Sequence, residues 1–129
     1  MSRRKKKPTI SKTNAVELVI YRPRWCRGGL SRERLDLYGT PTLYNERGNS
    51  TILGWFLRQH TSIPLDVLEE MHWPWEAPAE MLPFDHTKLK RIVRINDSHR
   101  MEDGDREREL KRLFLQGNPP IKLVFKGNG

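Results

Sequence analysis

The chain has little of what disulfide-linked, zinc-binding and membrane proteins require. It contains one cysteine, Cys26, which excludes an intramolecular disulfide and any zinc site built from several cysteines. No apolar run approaches the ~18–20 residues that cross a bilayer, so no membrane partner is expected. The basic start MSRRKKKPTISKT is followed by no apolar segment, and a signal peptide is therefore not expected. These absences favour the cytoplasm.

Apolar residues are also scarce, and this limits the size of the core. The hydrophobic fraction is 36% and the charged fraction is 31%, so much of the surface is polar. A chain of 129 residues has the length of one domain. We therefore predict a small single α+β domain over residues 14–129, with a few short strands and three to four short helices. A disordered basic arm, residues 1–13, is predicted to precede it.

The apolar pattern divides this domain into short elements. The segments AVELVIY and IKLVFK predict strands at residues 15–21 and 121–126. One or two more strands are predicted within residues 35–44, before the polar turn NERGN. Apolar residues at helical spacing predict helices over 52–60, over 62–71, from Asp85 onward, and from the acidic stretch to Gly117. The loop 72–84, rich in proline and tryptophan, is expected to pack across the body.

The basic residues are concentrated near the N-terminus. Residues 1–34 contain eleven Lys or Arg and two acidic residues, a net charge of +9. Residues 35–129 contain thirteen basic and fourteen acidic residues, a net charge of −1. A near-neutral body with a basic segment indicates a polyanionic partner, most often nucleic acid. The alternatives are a tail that aids solubility and a tail that binds acidic proteins or anionic membranes.

Non-specific contact with the backbone of DNA or RNA is the function that these charges favour. A run of five basic residues can neutralise several phosphates and release their counterions. A tryptophan among arginines, Trp25, would offer a surface on which bases stack. The predicted nucleic-acid-binding residues are Arg3, Arg4, Lys5, Lys6, Lys7, Arg24, Trp25 and Arg27.

The acidic stretch INDSHRMEDGDRERELKRLF, residues 95–114, has two interpretations. The first is a site for a divalent cation, as in a metal-dependent hydrolase that uses Asp97 and His99. An EF-hand is excluded, because neither Asp97 nor Asp103 is followed by glycine at the sixth loop position. The second is structural, with Asp103 or Asp105 capping the helix that follows. Caps are far commoner than improvised metal sites, so we favour the second.

The histidines carry no zinc-site signature. No two of them are three or four residues apart, which excludes the helical pair of a metalloprotease. Three histidines on loops or helix starts, His72, His86 and His99, could still meet in space. Surface histidines are the default interpretation, and we predict no bound metal and no cofactor.

Cys26 is the one thiol that could act as a nucleophile. Its neighbours Arg24 and Arg27 would lower the pKa of the thiol and favour the thiolate. No histidine partner can be identified, so a structural cysteine is the preferred interpretation. With no other catalytic signature, the protein is predicted not to be an enzyme.

The tryptophans of the 72–84 loop support an alternative function. Tryptophan often carries much of the binding energy of a protein interface, so Trp73 and Trp75 are the predicted partner-binding residues. In this alternative, the protein is an inhibitor or adaptor that binds a host bacterial protein, and the basic arm only assists.

Two blocks of the sequence carry a resemblance. They are LYNERGNSTILGWFLRQHTSIPLDVLEEM and IVRINDSHRMEDGDRERELKRLF, and IKLVF follows them. This order of turn, Leu-Gly helix, Ile-Pro helix, Ile-Asn-Asp loop, charged helix and strand resembles a group of small bacteriophage proteins of uncharacterised function. Members often have a cysteine pair where this chain has Thr51-Ile52. The resemblance implies a phage or prophage origin and the bacterial cytoplasm, and it implies no activity. Asn96-Asp97 would then mark a structural turn.

Overall fold

The computed structural model describes residues 16–128. Within them the chain forms an α+β domain, as predicted, with five helices where the sequence indicates three or four. The elements are β1 (Val16–Tyr21), α1 (Arg32–Tyr38), α2 (Ile52–His60), α3 (Leu65–Glu70), α4 (His86–Asp97), α5 (Asp103–Phe114) and β2 (Ile121–Lys126). The predicted arm, residues 1–13, lies outside the described residues. No helix between residues 16 and 128 has the length and apolar character needed to cross a membrane.

The first and last elements of the domain are strands that pair with each other. β1 and β2 are parallel, and their register begins with Val16 opposite Ile121. Both strands were predicted from the sequence, and both are confirmed. Leu18 and Ile20 on β1 are fully buried, as expected for a strand with one face on the core. A parallel pair needs a long connection, and here that connection contains all five helices.

The outer edge of β1 is covered by side chains of α2. Gln59 bonds the backbone of Val19 twice, with its Nε2 donating to the carbonyl (2.6 Å) and its Oε1 accepting from the amide (3.2 Å). His60 Nε2 lies 2.8 Å from the carbonyl oxygen of Glu17. An open strand edge invites pairing with another chain, and these bonds occupy the edge along half of β1.

The helices pack around this ribbon. α2 contacts β1, α5 contacts β2, and α4 contacts both α2 and α5. The apolar stripes predicted for these three helices are confirmed. Their fully or nearly buried members are Ile52, Leu53, Phe56, Leu57, Leu89, Ile92, Leu110, Leu113 and Phe114.

Gly54 lets α2 approach the backbone of the segment before it. A Cβ at this position would lie 2.0 Å from the carbonyl oxygen of Leu43 and 2.7 Å from its carbonyl carbon. Both atoms belong to the backbone, so the neighbour cannot move aside by changing a rotamer. Only glycine permits this packing.

The segment 35–44, predicted to hold one or two strands, contains none: residues 35–38 are the end of a helix, and residues 39–44 have no regular secondary structure. α1 begins after Ser31, whose Oγ accepts a hydrogen bond from the amide of Arg34 (3.3 Å). It ends at Gly39, which has a φ of +82°. The alternation that suggested a strand is misleading, because Leu37 is 59% exposed and has no core face to occupy. The N-cap serine and the terminal glycine are the local signals that decide the structure.

The polar turn predicted at NERGN is confirmed, and it is held by Asn45. The Asn45 Oδ1 accepts from the amides of Arg47 (2.9 Å) and Asn49 (3.0 Å). Its Nδ2 donates to the carbonyls of Tyr38 (2.8 Å) and Thr40 (2.9 Å). Asn45 is buried, and these bonds satisfy its amide fully. The turn therefore fastens the end of α1 to the segment that precedes α2.

The loop 72–84 packs on the body, as expected. Pro74 and Ala77 are buried, and the loop contains two 3₁₀ turns, Pro74–Glu76 and Ala79–Met81. The Glu76 carboxylate accepts from the backbone amide of Trp73 (3.0 Å). This bond orients the loop so that Trp73 stacks on Trp75, with ring centroids 5.2 Å apart.

Candidate functional site

The junction of α4 and α5 is held by the buried side chain of Arg106. Its Nη1 donates to the carbonyl oxygens of Ile95 (2.7 Å), Asn96 (3.1 Å) and Ser98 (2.9 Å), and its Nη2 donates to that of Met101 (2.6 Å). The last carbonyls of a helix have no partner within the helix. The guanidinium therefore serves as the cap at the C-terminal end of α4.

Two predictions about this junction are wrong. The Ile95-Asn96-Asp97 turn is the last turn of α4, because Arg106 supplies the donors that its carbonyls need. Asp103, predicted as a cap with Asp105 as the alternative, is the first residue of α5, and the capping position before it makes no side-chain hydrogen bond.

Asp103 instead joins three arginines from separate parts of the chain. Its carboxylate receives Arg27 Nε (3.2 Å), Arg34 Nη2 (3.4 Å) and Arg106 Nε (3.2 Å). Partial burial raises the pKa of Asp103, but the three guanidiniums outweigh it and hold the pKa below its ordinary value. Asp103 thus ties α5 to α1 and to the segment after β1.

The structure places Arg27 in the interior, where it cannot contact a phosphate. Its side chain is 1% exposed, and its guanidinium lies 4.5 Å from the ring centroid of Trp25 and 4.9 Å from that of Tyr38. Its Nη1 also donates to the carbonyls of Arg22 (3.0 Å) and Trp25 (2.8 Å). Arg27 was predicted to bind nucleic acid, and this position excludes it from doing so.

Trp25, predicted to be an exposed stacking surface, is completely buried. Its Nε1 donates to the Oδ1 of Asn96 (2.8 Å). The aromatic ring therefore packs in the core because its one polar atom has a partner there. Of the three predicted contacts in this segment, only Arg24 is at the surface, where Nη1 donates to the carbonyl of Arg47 (3.0 Å).

Asn96 is the hub that connects α4 to two other segments. Besides Trp25, its Oδ1 accepts from the amide of Ile52 (3.1 Å), and its Nδ2 donates to the carbonyl of Cys26 (3.0 Å) and to Asp97 Oδ1 (2.8 Å). Indole and backbone N–H groups only donate, which fixes the orientation of the amide. The Asn96 side chain is fully satisfied and therefore structural.

A cleft opens beside this hub. It has a volume of about 510 Å³ and is lined by residues 29–30, 40–42, 72–73, 97 and 99. A smaller pocket of about 20 Å³ adjoins it and shares Trp73 and Asp97 with it. The walls come from four separate segments: the turn after β1, the loop after α1, the 72–84 loop and the end of α4. Clefts of a few hundred Å³ are the usual size of small-ligand sites.

Asp97 is the charged group of this cleft. Its Oδ1 accepts from Asn96, and no described residue donates to its Oδ2. Burial raises the pKa of Asp97, while the bond from Asn96 and the nearby Arg106 lower it, and the net change is upward. A carboxyl with a raised pKa in a cleft is a candidate functional group on physical grounds.

Trp73 forms the aromatic wall of the cleft. It is 47% exposed, whereas Trp75, the other predicted partner-binding residue, is partly buried and packs edge-on against His86, with ring centroids 5.0 Å apart. The two stacked tryptophans therefore differ in exposure. Trp73 presents a surface, and Trp75 supports it from behind.

The histidines that could have formed a metal site do not all meet. His72 and His99 line the same cleft, but His86 packs on Trp75. Within residues 16–128, no three His, Cys, Asp or Glu side chains lie close enough together to hold a metal ion. Asp97 and His99, the residues of the hydrolase hypothesis, therefore share a cleft with His72, but the three side chains do not converge closely enough to hold a metal ion.

The pKa of the Cys26 thiol shifts in the direction opposite to the one that its arginine neighbours suggest, and its burial agrees with the structural interpretation preferred from the sequence. Its thiol is 1% exposed, and burial, together with the nearby Asp97, raises its pKa to about 12. The lowering by Arg27 is the smaller effect. A thiol that stays protonated and inaccessible does not act as a nucleophile, so Cys26 is a core residue.

Comparison with known proteins adds no identity: no family model, no curated protein and no solved structure matches the chain. The cleft was missed by sequence reasoning because its walls are far apart in the chain. Asp97 and His99 were noticed as part of an acidic stretch, but no signal in the sequence joins them to Thr40, Thr42 or Trp73.

Proposed function

We propose that the protein is a small non-enzymatic accessory protein, of phage origin and working in the bacterial cytoplasm, that contacts nucleic acid through its basic N-terminal arm. The observation that carries this proposal is the distribution of charge, +9 over residues 1–34 and −1 over the rest. Lysine and arginine neutralise phosphates and release counterions, which gives affinity without sequence preference. The origin and the compartment rest on the resemblance to phage proteins described above.

The ion pairs of the folded domain narrow the proposed footprint. Arg22 is paired with Glu107 (2.7 Å), and both Arg27 and Arg34 are paired with Asp103. These three guanidiniums already have carboxylate partners. The footprint therefore consists of the arm residues, with Arg24 at the surface of the domain as a secondary contact. The arm residues are Arg3, Arg4, Lys5, Lys6 and Lys7.

A salt titration of binding tests the proposal. Gel shifts with a short duplex DNA and with a single-stranded RNA would be compared for the full chain and for a variant with all five arm residues changed to glutamine. Five neutralised phosphates correspond to a slope of about −4.5 in log affinity against log salt for duplex DNA. The arm variant should lose affinity at low salt and show a slope closer to zero.

The matched control removes the same charge from elsewhere. Five exposed basic residues on α4 and α5 are changed to glutamine, so the net charge falls equally. They are Lys90, Arg91, Arg94, Arg108 and Arg112. This variant should keep most of the affinity and the slope. Equal losses in both variants would mean that only overall charge matters, and no binding by the full chain at low salt would end the proposal.

A second candidate function is the binding of a host protein, as an inhibitor or adaptor. It is favoured by the half-exposed Trp73 at the rim of the cleft, because a rigid aromatic beside a pocket is a common interface anchor. The test is capture from a nuclease-treated bacterial lysate, which removes partners bridged by nucleic acid. A partner that is lost with Trp73→Ala, and kept with Tyr21→Ala on β1, would support this function. Tyr21 is a suitable control because it is similarly exposed, at 50%.

A further inference from the structure

The cleft beside α4 carries one formal charge, and that charge is negative. Among its lining residues only Asp97 is acidic, and none is lysine or arginine. This is unexpected in a protein with a net charge of +8. An anionic ligand would meet the carboxylate without a lysine or arginine in the lining to offset it. A ligand without N–H or O–H donors that filled the cleft would strip water from the carboxylate without replacing the lost hydrogen bonds.

One oxygen of the carboxylate is held and the other is free. Asn96 donates to the Asp97 Oδ1 (2.8 Å), and Asn96 is itself fixed by its bonds to Trp25, Ile52 and Cys26. The Oδ2 accepts no bond from any residue in the described range, yet it is not among the buried atoms that lack a partner. Solvent therefore reaches it, and a donor on a ligand could do so too.

The aromatic wall fits a cation as well. Trp73 lines both the cleft and the adjoining pocket, as Asp97 does. Trp75 stacks parallel to it at 5.2 Å, which fixes the plane of the ring. Indole is the strongest of the side-chain partners for a cation. A carboxylate and an indole lining one cleft provide an ion pair and a cation–π contact for the same group.

We propose that this cleft binds a guanidinium or primary ammonium group, with Asp97 as its ion-pair partner and Trp73 as its aromatic wall. A guanidinium has five donors, and Thr40 and Thr42, residues with hydroxyl and carbonyl acceptors, line the same cleft. The rigid position of Asp97 lets a ligand bind without reordering the site. This proposal stands whether or not the arm binds nucleic acid.

The test uses a pair of probes that differ in charge and little in shape. N-acetyl-arginine amide and its neutral isostere, N-acetyl-citrulline amide, would be titrated into the full chain while the tryptophan indole N–H signals are followed by NMR. The arginine probe should shift the Trp73 signal in a saturable way. The citrulline probe should bind at least about tenfold more weakly, the difference of one lost charge-assisted contact.

Variants locate the site. Asp97→Asn keeps an oxygen for the bond from Asn96 but removes the charge, so it should weaken the arginine probe about tenfold or more while the protein stays folded. Trp73→Leu, followed through the indole N–H signal of the adjacent Trp75, should weaken binding a few-fold. The control is Glu102→Gln, which removes an exposed carboxylate at the start of α5 and should leave binding unchanged.

A third measurement tests whether the occupant of the cleft is a separate ligand or a cation of the chain itself. Deleting residues 2–13 removes Arg3 and Arg4. Tighter binding of the probe after deletion means that the arm competes for the cleft, and unchanged binding means that the natural ligand is another molecule; both support a cation site. The proposal is overturned if citrulline binds as well as arginine, if Asp97→Asn binds like the parent chain, or if no saturable shift occurs. Nucleic-acid gel shifts of Asp97→Asn should be unchanged, which keeps failure here distinct from failure of the arm proposal.

Discussion

Replacing Arg106 with methionine should destabilise the protein more than any surface substitution on α5. The change removes donors to four carbonyl oxygens, at 2.6–3.1 Å, and leaves them within a buried junction. A methionine keeps much of the apolar stem, so the loss is mainly of hydrogen bonds and charge. Asp103 keeps Arg27 and Arg34 as partners, and the variant therefore does not leave a bare carboxylate.

The expected magnitude follows from which carbonyls are left without a partner. Those of Asn96 and Ile95 keep the backbone amides of Gly28 (2.9 Å) and Ser98 (3.4 Å) as donors. Those of Ser98 and Met101 lose the donor that Arg106 supplies. Each buried carbonyl that loses its donor costs about 1–3 kcal/mol, though the junction can relax and admit water. Breaking a buried ionic network from one side costs about 3–5 kcal/mol in all. A domain of this size has about 5–15 kcal/mol of stability. The loss should lower the melting temperature by about 10–25 °C.

Urea unfolding monitored by tryptophan fluorescence would measure the change, with Arg108→Met as the control. Arg108 lies two residues along the same helix, its side chain is 73% exposed, and it pairs with Asp105 at the surface. Its replacement should cost no more than about 0.5 kcal/mol. Arg106→Lys should recover only part of the loss, because an ammonium cannot reach all of the carbonyls that a planar guanidinium spans. If Arg106→Met and Arg108→Met agree within about 1 kcal/mol, Arg106 does not hold the junction.

Three further predictions concern single positions. Gly54→Ala should unfold the protein or destabilise it by about 3 kcal/mol or more, because its Cβ would meet the Leu43 carbonyl. The control is Gly104→Ala, whose Cβ would meet nothing within 4 Å. A folded Gly54→Ala protein with an unchanged melting temperature would contradict the packing. Cys26, with its pKa raised to about 12, should react with a thiol reagent at pH 8 about a thousandfold more slowly than an unfolded cysteine; similar rates before and after adding urea would refute its burial. Asp97→Asn should raise the melting temperature at pH 7. A carboxyl whose pKa is raised in the folded state destabilises that state at any pH above its unfolded-state pKa, where it is ionised. This destabilisation disappears on acidification. The gain measured by calorimetry should shrink toward pH 4, and a loss of stability at pH 7 would contradict this sign.

The Asp97 prediction bears on the proposed ligand site as well. A protein gains stability when a costly charge is removed from its surface cleft, and a charge that persists at such a cost is typical of a functional group. The Asn96 side chain donates to this carboxylate, and Arg106 donates to the backbone carbonyl of Asn96. The stability of the junction between α4 and α5 and the position of the Asp97 carboxylate in the cleft therefore depend on the same set of hydrogen bonds.

The periodic spacing of apolar residues predicts the structure correctly where one face of a helix or strand packs on the core. The alternation in Ile121–Lys126 and the stripes of α2, α4 and α5 are confirmed, because periodic burial leaves the same period in the sequence. The pattern failed at α1, where Tyr38 is the one buried side chain and the cap residues decide. It also failed at Asp103, since an acidic residue at a helix start has the same sequence signature whether it caps the helix or pairs with distant arginines.

The sequence by itself determined the α+β class, the two strands, the main helices and the uneven distribution of charge, all of which follow from composition and short-range periodicity. Only the tertiary structure decided that Trp25 and Arg27 are interior residues, that Cys26 is inert and that Asp97 and Trp73 line one cleft. The reason is distance along the chain. Trp25 is buried because Asn96, 71 residues away, accepts its N–H, and no local pattern contains that partner.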